Sequence, residues 1–228
     1  MQFGMISRKR NNQPGDARRE IDELRIGLRE LGIDFDAEKI ERFQMYLNTL
    51  YSCRHRLHLV SHRDYERVSR RHFLASLVAY PYVKNHVRAC DVGAGAGFPS
   101  VPLKILLPGI DFVLFESNRK KAEFLEHLVD RLRLERIRVV NSRAESHSGQ
   151  GFDLVLLKAV GKIDKLMKVV DALVVPGGEA IFFKTQDVDT ELRRAARAIK
   201  ARRFSVEVAR ISAPIEKTPM SLVIMRKL

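Results

Sequence analysis

The chain has 228 residues, of which 45% are hydrophobic, and a formal net charge of +13. A chain of this length buries about 70–75% of its unfolded surface, so it needs neither a metal ion nor disulfides for stability. Its two cysteines form no C-x-x-C pair, and it shows no signal peptide and no apolar run long enough to span a bilayer. We therefore expect a soluble, cytoplasmic, monomeric protein with no metal and no membrane partner. The charge favours a nucleic-acid partner.

The N-terminal third of the chain is predicted to be helical after a basic tail. Residues 1–16 are polar and include Pro14-Gly15, which is typical of a disordered segment. Apolar residues then recur at helical spacing over residues 17–83, and we expect these to form an N-terminal helical cap ahead of a second domain at 84–228. The predicted helices cover Ala17–Leu31, a segment beginning at Ala37, and Asp64–Ala79, which Pro81 is predicted to close.

The segment Cys90–Pro99 is typical of a buried strand, a glycine turn and the start of a helix. Its glycines, Gly93, Gly95 and Gly97, allow the backbone to turn sharply and to lie against a ligand at a helix N-terminus. A second strand, Asp111–Glu116, ends on a carboxylate nineteen residues after Gly97. An acid at a strand end can accept hydrogen bonds from both ribose hydroxyls, so this pattern indicates an adenosine site.

The remainder of the chain alternates strands with helices, which predicts an α/β fold with a mostly parallel sheet. Nine residues separate the last two strands, too few for a helical crossover, so the last of seven strands should be antiparallel. After Glu116 the predicted helices are Arg119–Leu132, Asp164–Leu173 and Asp189–Arg202. The predicted strands are Ile137–Val140, Phe152–Leu157, Glu179–Lys184, Phe204–Ile211 and Ser221–Lys227.

The spacing of the glycines distinguishes between adenosine cofactors. A dinucleotide fingerprint, G-x-G-x-x-G, requires its third glycine at the position of Phe98. Here the third glycine comes one residue earlier, and G-x-G-x-G resembles motif I of the S-adenosylmethionine methyltransferases. With the antiparallel last strand, this predicts a Rossmann-like class I methyltransferase fold and argues against an all-parallel dehydrogenase.

The motifs resemble those of the bacterial small-subunit ribosomal RNA guanine-N7 methyltransferases, also called glucose-inhibited division protein B. The similarity runs from about Leu47 to the C-terminus. Its most specific segments are Asp91–Pro99, Val101–Leu103, Glu116-Ser117, Lys120-Lys121, Phe124-Leu125 and Arg143–Glu145. Weaker matches are His58–Asp64 and Arg71–Leu77.

The resemblance implies S-adenosylmethionine as cofactor and 16S rRNA in the small ribosomal subunit as substrate. It places Gly93, Phe98, Ala144 and Glu145 against the cofactor, together with Lys158, where the family has an arginine. The residue pattern itself adds Gly95, Gly97 and Glu116 as cofactor-binding candidates. The chain departs from the family pattern at His58, Val60, Ala75, Thr185 and Met220.

The sequence indicates no catalytic acid or base. The fourth strand is not followed by the Asn/Asp-Pro-Pro-aromatic motif of amine methyltransferases, neither cysteine follows a proline, and only Asp164 could supply a metal ligand after that strand. Guanine N7 has a lone pair and needs no deprotonation, so alignment of the reactants is the main requirement. The cations Arg63, Arg71, Lys158 and Lys184 are candidates for binding phosphate or guanine, and surface ion pairing is an equal alternative. We expect His72 to pack rather than to transfer protons.

Two other functions fit the same residues. One is a methyltransferase of this fold that acts on a protein or a small molecule. The other is a non-catalytic module that binds S-adenosylmethionine or RNA and has lost the reaction, which the departures from the family pattern would explain.

Overall fold

A seven-stranded sheet forms the centre of the computed structural model, which describes residues 14–147, 149, 151–185, 188–211 and 219–228. The strand order is β3-β2-β1-β4-β5-β7-β6. The pairs among β1 to β5 are parallel, and β7 runs antiparallel to both of its neighbours, β5 and β6. The strands are β1 Arg88–Val92, β2 Asp111–Phe115, β3 Ile137–Val140, β4 Phe152–Lys158, β5 Val174–Lys184, β6 Phe204–Ile211 and β7 Met220–Lys227. The predicted seven-stranded α/β fold with an antiparallel last strand is confirmed.

The helices cover both faces of this sheet. They are α1 Pro14–Glu30, α2 Ala37–Cys53, α3 Ala75–Leu77, α4 Tyr80–Val83, α5 Ser100–Leu106, α6 Arg119–Arg131, α7 Ile163–Leu173 and α8 Val188–Ala201. Short 3-10 helices at His62–Glu66 and Ala144–His147 and a π-helix at Ser69–Leu74 complete the set.

Two apolar cores lie on opposite faces because side chains alternate along each strand. In β4, Leu154 and Leu156 pack with the cap helices, α5 and α6, whereas Val155 and Leu157 pack with α7 and α8. The central strands are thus buried on both faces, as is typical of a parallel sheet covered by helices. No helix in the described part of the chain is long and apolar enough to cross a bilayer.

Three predicted segments differ from the structure by more than two residues or in the type of helix. Helix α1 begins at Pro14 and not at Ala17, because the fixed φ of proline suits a first helical turn; residues 1–13 of the predicted tail lie outside the described residues. The single helix predicted over Asp64–Ala79 is instead a 3-10 turn, a π-helix and short α-helical turns. Pro81, which was expected to end a helix, lies in the first turn of α4. Strand β5 begins at Val174, with an irregular register that accommodates Pro176 and its two following glycines.

The parallel strands bring their carboxyl ends to one edge of the sheet. Val92 pairs with Phe115 of β2, and Asp91 pairs with Leu156 of β4. The turns that follow β1, β2 and β4 therefore meet at this edge, where open α/β sheets bind their ligands.

Candidate active site

The turn after β1 has the backbone conformation that its glycines allow. Gly93, Gly95 and Gly97 have φ angles of +72°, +60° and +98°. A Cβ on Gly93 would lie 2.5 Å from Val160 Cγ1, whereas a Cβ on Gly95 would meet nothing closer than 3.8 Å. Gly93 is therefore fixed by packing against the turn after β4, and Gly95 leaves open space in front of the backbone. Such space allows a ligand to approach the main chain closely.

Glu116 follows β2 directly, and its carboxylate joins the turns after β1 and β2. Oε2 accepts a hydrogen bond of 2.9 Å from the Gly95 amide, and Oε1 accepts one of 2.7 Å from the Asn118 amide. The residue is only 7% exposed. A carboxylate can accept about four hydrogen bonds, so Glu116 can accept two more from the hydroxyls of a diol. The residues at this edge therefore fit the ribose of an adenosine.

Phe98 ends the glycine turn and is stacked between two aromatic rings. The ring of Tyr46 from α2 lies 5.4 Å away, and the ring of His72 from the π-helix lies 4.7 Å away on a nearly parallel plane. The Tyr46 hydroxyl also donates a 2.5 Å hydrogen bond to the carbonyl of Ala96. The cap thus holds the glycine turn from behind by ring stacking and by one hydrogen bond.

Charged groups beside this stack are buried, which shifts their pKa values. Burial raises the pKa of Asp91 to about 7, although a hydrogen bond from Ser100 and the charge of Lys158 oppose this shift. Burial lowers the pKa of Lys158 to about 8, against the attraction of Asp91 and Asp64. Its Nζ lies 5.2 Å from the centre of the Phe98 ring. Lys158, at the end of β4, therefore reaches back to the turn after β1.

His72 is neutral at physiological pH. Burial, and next the charge of Lys158, lower the pKa of its imidazole to about 3. Its Nε2 lies 3.5 Å from Asp64 Oδ2, and neither ring nitrogen forms a hydrogen bond within the described part of the chain. The ring of His72 packs against Phe98, and its lack of a role in proton transfer stays a prediction.

The turn after β3 supplies the remaining candidates for the cofactor. Ala144 begins a 3-10 helix and is buried, whereas Glu145 is exposed. His147, on the same turn, packs its ring 5.0 Å from that of Phe115 at the end of β2. Asn141 donates a 2.8 Å hydrogen bond to the carbonyl of Glu116. These contacts place the turn beside the Glu116 carboxylate.

The other candidate cations divide into paired and unpaired groups. Arg71 donates a 2.7 Å hydrogen bond to Asp64, and Lys184 donates to the carbonyl of Gly161 at 2.6 Å and to Glu191 at 2.8 Å. Arg63 is exposed and forms no ion pair with any residue that the structure describes. Of the four predicted cations, Arg71 and Lys184 thus have structural partners, Lys158 lies at the aromatic stack and Arg63 faces solvent.

An open cleft of about 440 Å³ lies beyond the carboxyl ends of β4 and β5. Val160, one of its lining residues, packs against Gly93 of the glycine turn. The exposed cations Lys162 and Arg194 line it, and Phe182 and Leu157 contribute apolar surface. Its size is that of ordinary ligand sites.

Sequence reasoning missed two residues of this site. Asp91 is fully buried, and its Oδ1 has no hydrogen-bond partner among the described residues. An acid one residue before the end of an apolar strand that leads into a glycine turn was a visible signal for it. Tyr46 gave no such signal, because its contacts with Ala96 and Phe98 join residues about fifty positions apart.

Comparison with known sequences identifies relatives of the whole fold. The family model described as rRNA small subunit methyltransferase G matches residues 39–217. A ribosomal RNA small subunit methyltransferase G from Bacillus cytotoxicus is 31% identical over 215 residues, which cover 91% of this chain and 90% of the relative. The protein of that name from Carboxydothermus hydrogenoformans is 35% identical over 184 residues, 78% of each chain.

Solved structures share the fold at low identity. A SAM-dependent O-methyltransferase from Thermotoga maritima matches with a TM-score of 0.53 and 16% identity, over 80% of this chain and 71% of its own. A ribosomal protein L11 methylase from Lactobacillus delbrueckii subsp. bulgaricus matches with a TM-score of 0.53 and 16% identity, over 68% of this chain and 78% of its own.

Proposed function

The chain belongs to the rRNA small subunit methyltransferase G family, and we propose that it methylates N7 of a guanine in 16S rRNA, in the small ribosomal subunit. It is an enzyme, and its methyl donor is S-adenosylmethionine. The observation that supports this proposal best is the contact between the glycine turn and the carboxylate after β2. The amide of Gly95 donates a 2.9 Å hydrogen bond to Glu116 Oε2.

The residues around this edge fit the donor. Glu116 would accept hydrogen bonds from the ribose, and the Gly93–Phe98 turn would lie along the methionine part. The turn with Ala144 and Glu145 would border the adenine, and Lys158 would approach the donor from β4. When bound, the donor supplies a methyl group on a sulfonium ion.

The chain's own contribution to the reaction is alignment. Guanine N7 attacks with an in-plane lone pair and loses no proton, so no general base is required. The neutral, buried His72, with a pKa of about 3, is consistent with a site that transfers no proton. We place the acceptor base in the cleft of about 440 Å³ beside Val160, from which in-line transfer needs only correct positioning.

Exposed cations would hold the RNA backbone, from the cleft at Lys162 and Arg194 and from the cap at Arg63. Arg63, Lys162 and Arg194 are solvent-exposed, whereas Arg71 and Lys184 would act from positions fixed by their acidic partners. We further propose that residues 84–228 carry the reaction, that the cap at 17–83 supports the glycine turn, and that the protein acts as a cytoplasmic monomer.

Methyl transfer to purified small ribosomal subunits tests the reaction. We expect labelled S-adenosylmethionine to yield 7-methylguanosine in digested 16S rRNA. If the label appears in another nucleoside, in ribosomal protein or in a small molecule, the protein is a methyltransferase of the same fold with a different substrate. Binding of donor or RNA without any transfer would indicate a non-catalytic module.

Substitution of Glu116 tests the cofactor site. Glu116→Ala should abolish donor binding in calorimetry, and Glu116→Gln, which keeps the shape and one acceptor oxygen, should retain part of the affinity. Glu207→Ala, at an exposed position on β6, is the matched control and should bind normally. Full affinity in Glu116→Ala would remove this residue from the site.

A further inference from the structure

A second cleft, of about 390 Å³, lies between the end of α2 and the first turns of α6. The cap supplies one wall and the helix after Glu116 supplies the other, so the cleft is separate from the one beside Val160. Its lining residues are Cys53, Arg56, Leu57, Lys120, Glu123, Phe124 and His127.

The α6 wall presents one face of the helix to this cleft. Lys120, Glu123, Phe124 and His127 are spaced i, i+3, i+4 and i+7, which places all four on the same side. Phe124 is buried and forms an apolar floor together with Leu57 from the opposite wall. The cleft therefore combines a non-polar base with polar, basic edges.

Positive charge in this cleft is not neutralised by the protein. Arg56 and Lys120 are exposed, and neither forms an ion pair with any residue in the described part of the chain. The one acid in the lining, Glu123, is paired with Arg119 at 2.8 Å. The first turn of α6 contains no acid, so Lys120 and its neighbours oppose the helix dipole at a cost of about 0.3–1 kcal/mol. An anion between Arg56 and Lys120 would offset this cost.

We propose that this cleft binds a backbone phosphate of the RNA substrate at a distance from the methylated base. The inference rests on the proposed function, because it takes RNA as the substrate. Arg56 and Lys120 would contact the phosphate oxygens, His127 would add a hydrogen bond, and the apolar floor would lie under the ribose. The net charge of +13 gives the long-range attraction that such a contact needs. The cap would then serve both the glycine turn and the RNA.

The test compares two variants with the same change in charge. Arg56→Glu/Lys120→Glu reverses the cleft, and Lys168→Glu/Lys200→Glu reverses two exposed lysines on α7 and α8, across the sheet. The first variant should raise the KM for small subunits at least about tenfold at low salt, with kcat and donor affinity unchanged. The slope of log affinity against log salt should fall by about one for each lost phosphate contact. The second variant should change KM less than about threefold.

Three outcomes overturn the phosphate site: an unchanged KM in the cleft variant, an equal rise in both variants, or a loss of donor binding that explains the rise. Binding of a labelled, mixed-sequence RNA, measured in parallel, separates this inference from the proposed function. If the wild-type protein methylates no rRNA, the proposed function fails. The phosphate site then stands only if RNA affinity falls in the cleft variant and not in the control.

Discussion

The turns after β1 and β4 meet at the same edge of the sheet, yet they are supported in opposite ways. The Gly93–Phe98 turn is enclosed: Ala94, Ala96 and Phe98 are buried, and the cap packs behind them. In the turn at 159–162, Ala159, Gly161 and Lys162 are exposed and border an open cleft. The proposed donor side is therefore shaped by the fold itself, whereas the proposed acceptor side leaves room for a macromolecule. This division suits a reaction that depends on alignment.

The largest expected effect is on the donor side, at Phe98. Phe98→Ala removes a ring that is stacked between Tyr46 and His72, and we expect the free energy of unfolding to fall by about 3–5 kcal/mol. Urea denaturation measures the change, and calorimetry should show weaker donor binding. Phe98→Leu, which keeps most of the volume, should lose less. A loss below about 1 kcal/mol for the alanine variant would mean that the turn does not depend on the stack.

The second effect is expected where the two turns touch. Gly93→Ala would place a Cβ 2.5 Å from Val160 Cγ1 at a φ of +72°, and the left-handed backbone alone costs about 1–2 kcal/mol. Donor affinity should fall, and Val160→Ala should restore part of it by relieving the contact. Gly109→Ala is the control, because its φ is not positive and nothing lies within 4 Å. Normal binding by Gly93→Ala would show that the two turns are independent.

The sequence predicted the sheet better than it predicted the cap. Strands β3 and β6 have the predicted bounds because apolar runs and turn residues are local signals. Asp64–Ala79, within the irregular segment 62–83, was predicted as one helix, since its apolar spacing is helical although its backbone includes 3-10 and π turns. Packing against Phe98 and α1 determines that segment, and such contacts leave no periodic pattern.

The candidate site could be predicted in part for the same reason. Glycine spacing and an acid at a strand end are local, so the turn and Glu116 could be located without a structure. The hydrogen bonds from Lys184 to Gly161 and from Tyr46 to Ala96 join residues that are 23 and 50 positions apart in the chain. Only the folded structure shows which cations are already paired.

A smaller effect is expected from the hydroxyl of Tyr46. Tyr46→Phe keeps the stacked ring and removes the hydrogen bond to Ala96, so stability should fall by about 0.5–1.5 kcal/mol. Because that carbonyl belongs to the glycine turn, donor affinity should fall as well. Tyr51→Phe is the matched control, since its hydroxyl donates to the carbonyl of Tyr65 within the cap. If both variants lose similar stability but only Tyr46→Phe loses donor affinity, the cap positions the turn. Equal donor affinities in the two variants would contradict this.

The smallest effect on stability is expected on the acceptor side. Arg194 is exposed and lines the open cleft, so Arg194→Ala should change the free energy of unfolding by less than about 0.5 kcal/mol. Donor binding should be unchanged, while the KM for small subunits should rise because a cation that faces the RNA has been lost. Arg197→Ala, one turn further along α8 and outside the cleft lining, is the control for charge. Equal KM values for these two variants would contradict the placement of the acceptor. A rise confined to Arg194 would show that a surface contributing almost nothing to folding contributes to substrate binding.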